Sequence, residues 1–224
     1  NLSWQGLVMM LVGCLLIWLA IAKEYEPLLL LPIGAGCILA NMPLSTMMVS
    51  DGNPGMLQVL YDMGVGNELF PLLIFIGIGA MTDFGPLLEN PRMVLLGAAG
   101  QFGIFLTLIL ALLLGFAPNE AASIGVIGAI DGPTSIFVSG KLAPEMVGPI
   151  TVAAYSYMSL VPIIMPPVIY ALTTKHERGI EMAYSSRKIS RRTRIIFPII
   201  ITVMVGSLVP FATPLIGMLM LGNL

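Results

Sequence analysis

The chain has 224 residues, of which 57% are hydrophobic and only 10% are charged, and its formal net charge is −2. Soluble domains carry about 25% charged residues, so this composition excludes a soluble protein and indicates an integral membrane protein. The mean hydropathy of +0.96 agrees with this class. Nucleic-acid binding is not favoured, because the basic residues form one cluster that lacks interleaved aromatic residues and has apolar segments on both sides.

Seven apolar stretches predict the helical segments. In chain order they are Leu7–Ala22, Pro27–Ala40, Leu69–Met81, Met93–Phe116, Ala121–Ser139, Met146–Leu172 and Ile195–Leu224. A simple membrane span needs about 20 residues, which the fourth and sixth stretches reach easily. The second and third are short, so they either gain length from flanking polar residues or belong to hairpins and broken helices. The last is interrupted at Pro210 and Pro214, and it predicts one span followed by the start of another.

The distribution of charge predicts the orientation. Most of the ten Lys and Arg residues lie in loop 173–194, which is therefore predicted to be cytoplasmic. The loop Asn41–Asn67 contains acidic but no basic residues, so we expect it outside. With Arg92 inside, these assignments agree if the segment Ala121–Ser139 is re-entrant. A broken helix that crosses fully remains the alternative.

Asp131 is the most informative residue, because it lies in the middle of an apolar segment and is followed at once by Gly132 and Pro133. A carboxylate at membrane depth costs about 3 kcal/mol or more unless something pairs with it, so it usually serves ions, protons or catalysis. Gly-Pro breaks the backbone hydrogen bonding there and frees carbonyl oxygens as further ligands. We predict an ion or proton site. A polar kink residue tied to a neighbouring helix is the alternative.

Two other motifs carry polar groups. Asp83 follows a short apolar segment and precedes a second Gly-Pro, and we interpret it as a helix cap or turn residue, with an ion ligand as the alternative. Tyr155 and Ser159 are four residues apart and share a helix face, whereas Tyr157 points elsewhere. Hydrogen bonding between helices and a proton relay or ligand set that faces Asp131 both remain open for these three residues.

Four blocks of sequence carry a resemblance to a known family. They are E-P-L-L-L-L-P-I-G from Glu26, G-A-M-T-D-F-G-P-L-L-E-N-P-R from Gly79, I-D-G-P-T from Ile130 with S-G-K-L-A-P-E from Ser139, and A-A-Y-S-Y-M-S-L-V-P from Ala153. By these blocks the chain resembles the membrane-embedded beta subunit of the sodium-translocating, biotin-dependent decarboxylases. Those complexes act on oxaloacetate, methylmalonyl-CoA, glutaconyl-CoA or malonate. The match departs at Ile130, where a small residue is expected.

The resemblance implies an all-α, polytopic transporter fold with inverted repeats. We expect one membrane domain over 1–224: a first repeat over about 1–172, the cytoplasmic loop 173–194, and the start of the following spans over 195–224. Family members are longer, so the chain is expected to lack the C-terminal repeat and part of the ion site. The implied location is the inner membrane of a prokaryote, with several membrane passes.

The resemblance also implies the chemistry. Asp131 would bind Na+, and Tyr157 would handle ions or protons. Carboxybiotin on a carrier protein would be decarboxylated with consumption of an external proton, and the free energy released would drive Na+ outward. The implied partners are a carboxyltransferase (alpha) subunit, the biotin carrier protein and a small membrane anchor subunit, which form an oligomeric complex in lipid. The cofactors are Na+ and biotin held covalently on a partner.

Hard oxygen ligands suit Na+, and one short segment supplies them. They are the Asp131 carboxylate, carbonyls around Gly132, and the hydroxyls of Thr134 and Ser135. A carboxylate that loses its ion in an apolar setting tends to take up a proton. We therefore expect Na+ and H+ to alternate at Asp131, which would couple decarboxylation to transport.

Two other functions compete with this interpretation. A Na+/H+ or anion exchanger shares the broken-helix aspartate and needs no biotin partner. An intramembrane aspartyl protease would need Asp131 to face a second aspartate such as Asp62, but Asp62 is predicted in a polar loop and the Gly-x-Gly-Asp form is missing. The basic cluster in loop 173–194 is either a docking surface for the carrier or carboxyltransferase, or only a topology anchor.

Overall fold

The computed structural model describes residues 3–43, 47–50, 52–181 and 189–224. Helices and two short strands follow one another in chain order as α1 (Trp4–Ala22), α2 (Pro27–Asn41), β1 (Val49–Ser50), β2 (Asn53–Pro54), α3 (Met56–Leu60), α4 (Leu69–Met81), α5 (Gly85–Glu89), α6 (Val94–Gly100), α7 (Phe102–Leu113), α8 (Pro118–Gly125), α9 (Gly132–Leu142), α10 (Val147–Leu172), α11 (Lys175–Arg178), α12 (Arg191–Leu208) and α13 (Thr213–Asn223). Short 3-10 turns connect several of these helices, and a π-helical turn, Tyr61–Val65, continues α3.

The lengths of the apolar helices confirm an all-α integral membrane protein. Within the described residues, three helical stretches are long and apolar enough to cross a membrane: Trp4–Ala22, Pro91–Leu113 and Pro144–Leu172. There is a fourth candidate span if Met56–Val65 and Leu69–Met81 together count as one interrupted span. The inverted repeat stays a prediction.

One expectation about the segment Asn41–Asn67 was wrong, because the segment is not simply a polar loop. Val49 pairs with Pro54 and Ser50 with Asn53 in a small antiparallel hairpin. A helical stretch, Met56–Val65, follows directly. Asp62 lies in its second half, where its carboxylate accepts a hydrogen bond from Gln58 at 2.8 Å. The i, i+4 spacing of these two side chains and the apolar residues between them favour a helix over a loop.

The described chain divides into two compact units, and each is built from two separate stretches of sequence. The first unit comprises Asn1–Asn67 and Val147–Ile180, and the second comprises Glu68–Met146 and Glu181–Leu224. In the first unit, α1 packs against α2. Gly13 and Gly34 allow this contact, because a Cβ atom added to either one would lie 2.7 Å from the carbonyl oxygen of the other.

The second unit is organised around α4. One side chain from each of three helices forms a buried cluster: Phe75 of α4, Phe137 of α9 and Leu215 of α13. The contact between α4 and α13 is closer still, because a Cβ atom added to Gly79 would overlap the Leu219 carbonyl oxygen. The two backbones therefore touch, and a side chain at position 79 would separate them.

The interruption predicted within Ile195–Leu224 is confirmed. Helix α12 ends at Leu208, Pro210 opens a 3-10 turn, and Pro214 lies in the first turn of α13. The Thr213 hydroxyl donates to the Gly206 carbonyl oxygen at 3.4 Å, so α13 turns back along α12. The proline supplies no N–H to continue α12, which is why the helix breaks there.

Candidate functional site

The segment around Asp131 is a helical hairpin. Helix α8 continues as a 3-10 turn, Val126–Ala129, and the chain then reverses at Ile130 and Asp131 before α9 begins. The two ends of the segment meet, because the Asn119 side-chain amide donates to the Leu142 carbonyl oxygen at 2.9 Å. The segment therefore folds back on itself, as the re-entrant form requires, and its re-entry into the membrane stays a prediction.

Local backbone conformations explain the reversal. Ile130 adopts the left-handed region, with φ 56° and ψ 41°, and Asp131 is extended, with φ −136° and ψ 100°. Neither conformation continues a right-handed helix. Pro133 then occupies the first turn of α9, where its missing N–H is tolerated. The hairpin therefore has its tip at the dipeptide Ile130–Asp131.

The Asp131 carboxylate caps the N-terminus of α9. Its Oδ1 accepts from the Thr134 backbone N–H at 3.3 Å, and its Oδ2 accepts from the Thr134 hydroxyl at 2.5 Å. The side chain is half-buried. Unpaired N–H groups and the positive end of the helix dipole stabilise a negative charge at this position. Thr134 is thus the direct partner of Asp131. The two residues lie within one helical turn, and Gly132 lies between them in the chain.

The carbonyl oxygens that the break leaves free are on the N-terminal side of Asp131. In the described part of the chain, no backbone N–H donates to the carbonyls of Ala129 or Ile130. Pro133 has no N–H to offer Ala129, and the N–H of Thr134, which would otherwise reach Ile130, is taken by the aspartate. The sequence analysis predicted free carbonyls around Gly132 and missed those of Ala129 and Ile130. Counting four residues back from Pro133 and Thr134 would have found them.

The Ser135 side chain makes its hydrogen bond to the backbone of its own helical segment. It is fully buried, and its hydroxyl donates to the Asp131 carbonyl oxygen at 2.9 Å. Ser139 is also buried and donates to the Ser135 carbonyl oxygen at 2.6 Å. These bonds occupy the hydroxyl hydrogens but leave oxygen lone pairs, so Ser135 as a Na+ ligand stays a prediction.

Asp83 forms a turn, as one of its two interpretations expects. Its Oδ1 accepts from the Gly85 backbone N–H at 2.9 Å, immediately before α5. The side chain is exposed and also lines a cavity of about 260 Å³ at the end of α4. The other carboxylate oxygen, Oδ2, takes no part in the turn, so it can still accept a hydrogen bond or bind an ion.

The tyrosine motif lies on α10, in the other compact unit from Asp131. Ser159 is fully buried, and its hydroxyl donates to the Tyr155 carbonyl oxygen at 2.7 Å, so these two residues share a helix face as predicted. Tyr157 is half-buried. A relay that joins Tyr155, Tyr157 or Ser159 to Asp131 stays a prediction.

Comparison with known proteins identifies the family. The family described as the Na+-transporting oxaloacetate decarboxylase beta subunit matches residues 5–224. The chain belongs to this family. Relatives include the glutaconyl-CoA decarboxylase subunit beta of Acidaminococcus fermentans, 54% identical over 99% of this chain and 58% of the relative. The methylmalonyl-CoA decarboxylase subunit beta of Propionigenium modestum is 52% identical over 100% of this chain and 62% of the relative.

A third relative, the oxaloacetate decarboxylase beta chain 2 of Salmonella typhi, is 44% identical over 97% of this chain and 63% of its own length. The chain therefore spans about three fifths of the length of these relatives. All three relatives carry the names of decarboxylase subunits, which does not favour the exchanger or the protease. The membrane class predicted from composition and the family predicted from the four sequence blocks are both confirmed.

Proposed function

We propose that the chain is the membrane part of a Na+ pump that decarboxylates carboxybiotin on a carrier protein and couples this reaction to outward Na+ transport. The supporting observation is the Asp131 carboxylate at the tip of a helical hairpin, held by Thr134 and adjacent to two free carbonyls. This set of hard oxygens suits Na+. The family is named for sodium transport and decarboxylation, which agree with this set of ligands.

In the proposed mechanism, Asp131 alternates between Na+ and H+. When Na+ is bound, the carboxylate, the Ala129 and Ile130 carbonyls and the Thr134 oxygen share its charge. When Na+ leaves, a proton neutralises the carboxylate, which avoids an unpaired charge in an apolar setting. Tyr157 is proposed to take part in proton handling. The next Na+ displaces that proton from Asp131, and carboxybiotin takes up one proton as it loses CO2.

The proposed orientation places loop 173–194 in the cytoplasm and both ends of the hairpin outside. The hairpin returns to the side that it entered from, which makes the orientation of α10 agree with a cytoplasmic loop after Leu172. The salt bridge between Glu68 and Lys141 supports this arrangement, because it joins the base of the hairpin to the end of the segment that is expected outside. Within the loop, Arg187 and Lys188 lie outside the described residues.

The proposed partners are a carboxyltransferase (alpha) subunit, a biotin carrier protein and a small membrane anchor subunit, assembled in a prokaryotic inner membrane. The carrier would deliver carboxybiotin to the cytoplasmic side, where the basic residues of loop 173–194 would contact it. Replacing Arg191, Arg192 and Arg194 together should weaken co-purification of the partners. If co-purification were unchanged, the basic residues would act only as a topology anchor.

The test is avidin capture of the native complex, followed by an assay of Na+-stimulated decarboxylation. We expect the wild-type complex to be active and Asp131→Asn to lose Na+-stimulated activity by at least about 100-fold, because the neutral amide keeps the shape but removes the charge. Asp62→Asn is the matched control, since Asp62 is exposed and bonded only to Gln58 among the described residues. Full Na+ dependence in Asp131→Asn would rule out the ion site.

A further inference from the structure

A second polar site lies in the same compact unit as the hairpin, at the C-terminal end of α4. It is a cavity of about 260 Å³. Its polar lining comes from Thr82, Asp83, Arg194 and Asn223, and its apolar lining includes Phe84 and Phe197, whose ring centroids are 5.4 Å apart. The cavity therefore combines a cation, an anion, an amide and a pair of aromatic rings.

The two charged side chains face this cavity without neutralising each other. Within the described residues, the only salt bridge joins Lys141 to Glu68, so Asp83 and Arg194 are not paired. Asp83 uses Oδ1 for its turn, and no described group donates to Oδ2. An arginine and an aspartate that share a small cavity but do not pair can each bind a group of opposite polarity on a ligand.

Asn223 adds a second acceptor. Both of its bonds as a donor go to α4 and the residue after it, to the Gly79 carbonyl oxygen at 3.1 Å and the Thr82 carbonyl oxygen at 2.7 Å. Its own side-chain oxygen accepts from no described group, so it is available to a ligand. The cavity thus suits a small molecule that carries a carboxylate together with an N–H donor.

We infer that this cavity binds the N-carboxyureido ring of carboxybiotin, an inference that rests on the proposed function. The carboxylate of the ligand would pair with the Arg194 guanidinium. The remaining ureido N–H would donate to Asp83 or Asn223, and the ring would lie against Phe84 and Phe197. Uncarboxylated biotin would keep the N–H contacts and lose the contact with Arg194.

The position of the cavity relative to the hairpin agrees with this assignment. Helix α9 runs antiparallel to α4, because Lys141 pairs with Glu68 at one end and Phe137 packs with Phe75 farther along. At about 1.5 Å per residue, Asp131 lies about 9 Å beyond Phe137, and Thr82 lies about 10 Å beyond Phe75 in the same direction. The cavity therefore lies at the end of α4 to which the hairpin tip points.

The kinetic test compares two arginines on the same helix in the assembled complex. Arg194→Gln should raise the KM for the carboxylated carrier domain by about 10-fold or more with little change in kcat, because a charge-assisted contact to the carboxylate is lost. Arg192→Gln is the comparison, since Arg192 belongs to the same basic cluster but lines a neighbouring groove and not this cavity, and its effect on the KM should be clearly smaller. Equal effects of the two substitutions would overturn the inference, because a general loss of positive charge would explain both.

A binding test decides the matter without turnover. In a background that carries Cys14→Ser and Cys37→Ser, Thr82→Cys in the assembled complex is labelled with a thiol reagent with and without biocytin. We expect biocytin to slow labelling at position 82 and not at Thr193→Cys, which lies in the neighbouring groove. No protection at position 82, or protection only by phosphatidylglycerol in nanodiscs, would overturn the inference. If protection occurs but the wild type lacks decarboxylation, the proposed function fails and the biotin site stands.

Discussion

Lys141 and Glu68 form a salt bridge of 2.6 Å that joins the C-terminal end of α9 to the residue before α4. At the opposite end of α4, the Asn223 side chain holds α13 to the Gly79 and Thr82 carbonyl oxygens. Helix α4 is thus tied at one end to the Asp131 hairpin and at the other to α13. The Asp131 site and the α4 cavity depend on the same short helix.

Reversing one charge of this pair should weaken the base of the hairpin. Lys141→Glu places two carboxylates together, and we expect a loss of about 0.5–1 kcal/mol in the free energy of unfolding, because the Lys141 side chain is 46% exposed. The exchange Glu68→Lys with Lys141→Glu should recover most of this loss. Thermal unfolding of the wild type, the two single variants and the double variant gives the coupling free energy between the two side chains. A coupling free energy of zero would mean that the salt bridge does not stabilise the protein.

A side chain at position 79 should separate α4 from α13. We expect Gly79→Ala to destabilise the protein by about 1–3 kcal/mol or more, because its Cβ atom would overlap the Leu219 carbonyl oxygen. Gly77→Ala is the control on the same helix, since nothing lies within 4 Å of its added Cβ atom. Loss of monodisperse protein on size exclusion for Gly79→Ala alone would agree with the contact, and equal behaviour of the two variants would contradict it.

The hydroxyl of Thr134 should matter for Na+. Thr134→Val removes the donor to Asp131 Oδ2 and an oxygen of the proposed ligand set, so the Na+ concentration for half-maximal decarboxylation should rise about 10-fold or more. Thr134→Ser keeps the hydroxyl and should remain near the wild type. Thr107→Val is a control in the same unit, because its hydroxyl donates only to the Gly103 carbonyl oxygen. An unchanged Na+ dependence in Thr134→Val would remove Thr134 from the site.

Ile130 should be replaceable by glycine with a gain in stability. A β-branched residue in the left-handed region costs about 1–2 kcal/mol, and glycine adopts φ 56° without that cost. The exposed Ile130 side chain loses little burial on replacement. Ile127→Gly, in the 3-10 turn just before it, should instead destabilise the hairpin. A lower melting temperature for Ile130→Gly would contradict the assigned conformation.

Glu177 should titrate below its usual range. The backbone N–H of Thr174 donates to its carboxylate at 2.7 Å and the Thr174 hydroxyl at 2.8 Å, and these bonds lower the pKa of Glu177. Because the folded pKa is the lower one, this stabilisation of the short helix α11 is present above the unfolded pKa and is lost as pH falls through the folded pKa. An NMR titration checks this, and Thr174→Ala should move the pKa of Glu177 up.

Much of the local structure of the proposed ion site could be predicted from the sequence because its determinants are local. A charged residue beside Gly-Pro in an apolar segment indicates a broken helix, and Asp131 does cap a helix at such a break. The free carbonyls were misplaced by a few residues, since their position depends on which N–H the aspartate takes. Asp62 was placed in a loop because the short helix Met56–Val65 lies among polar and glycine residues that mask its pattern.

The sequence by itself determined the membrane class, the family, the broken segment at Asp131 and the break at Pro210, because each follows from hydrophobicity, motif identity or the lack of an N–H. Only the tertiary structure decided that the Asp131 segment folds back on itself, since one hydrogen bond between Asn119 and Leu142 spans 23 residues. It also brought Asp83, Arg194 and Asn223 around one cavity. These residues are far apart in the chain, and no local pattern encodes their meeting, which depends on the glycine contacts that let α13 touch α4.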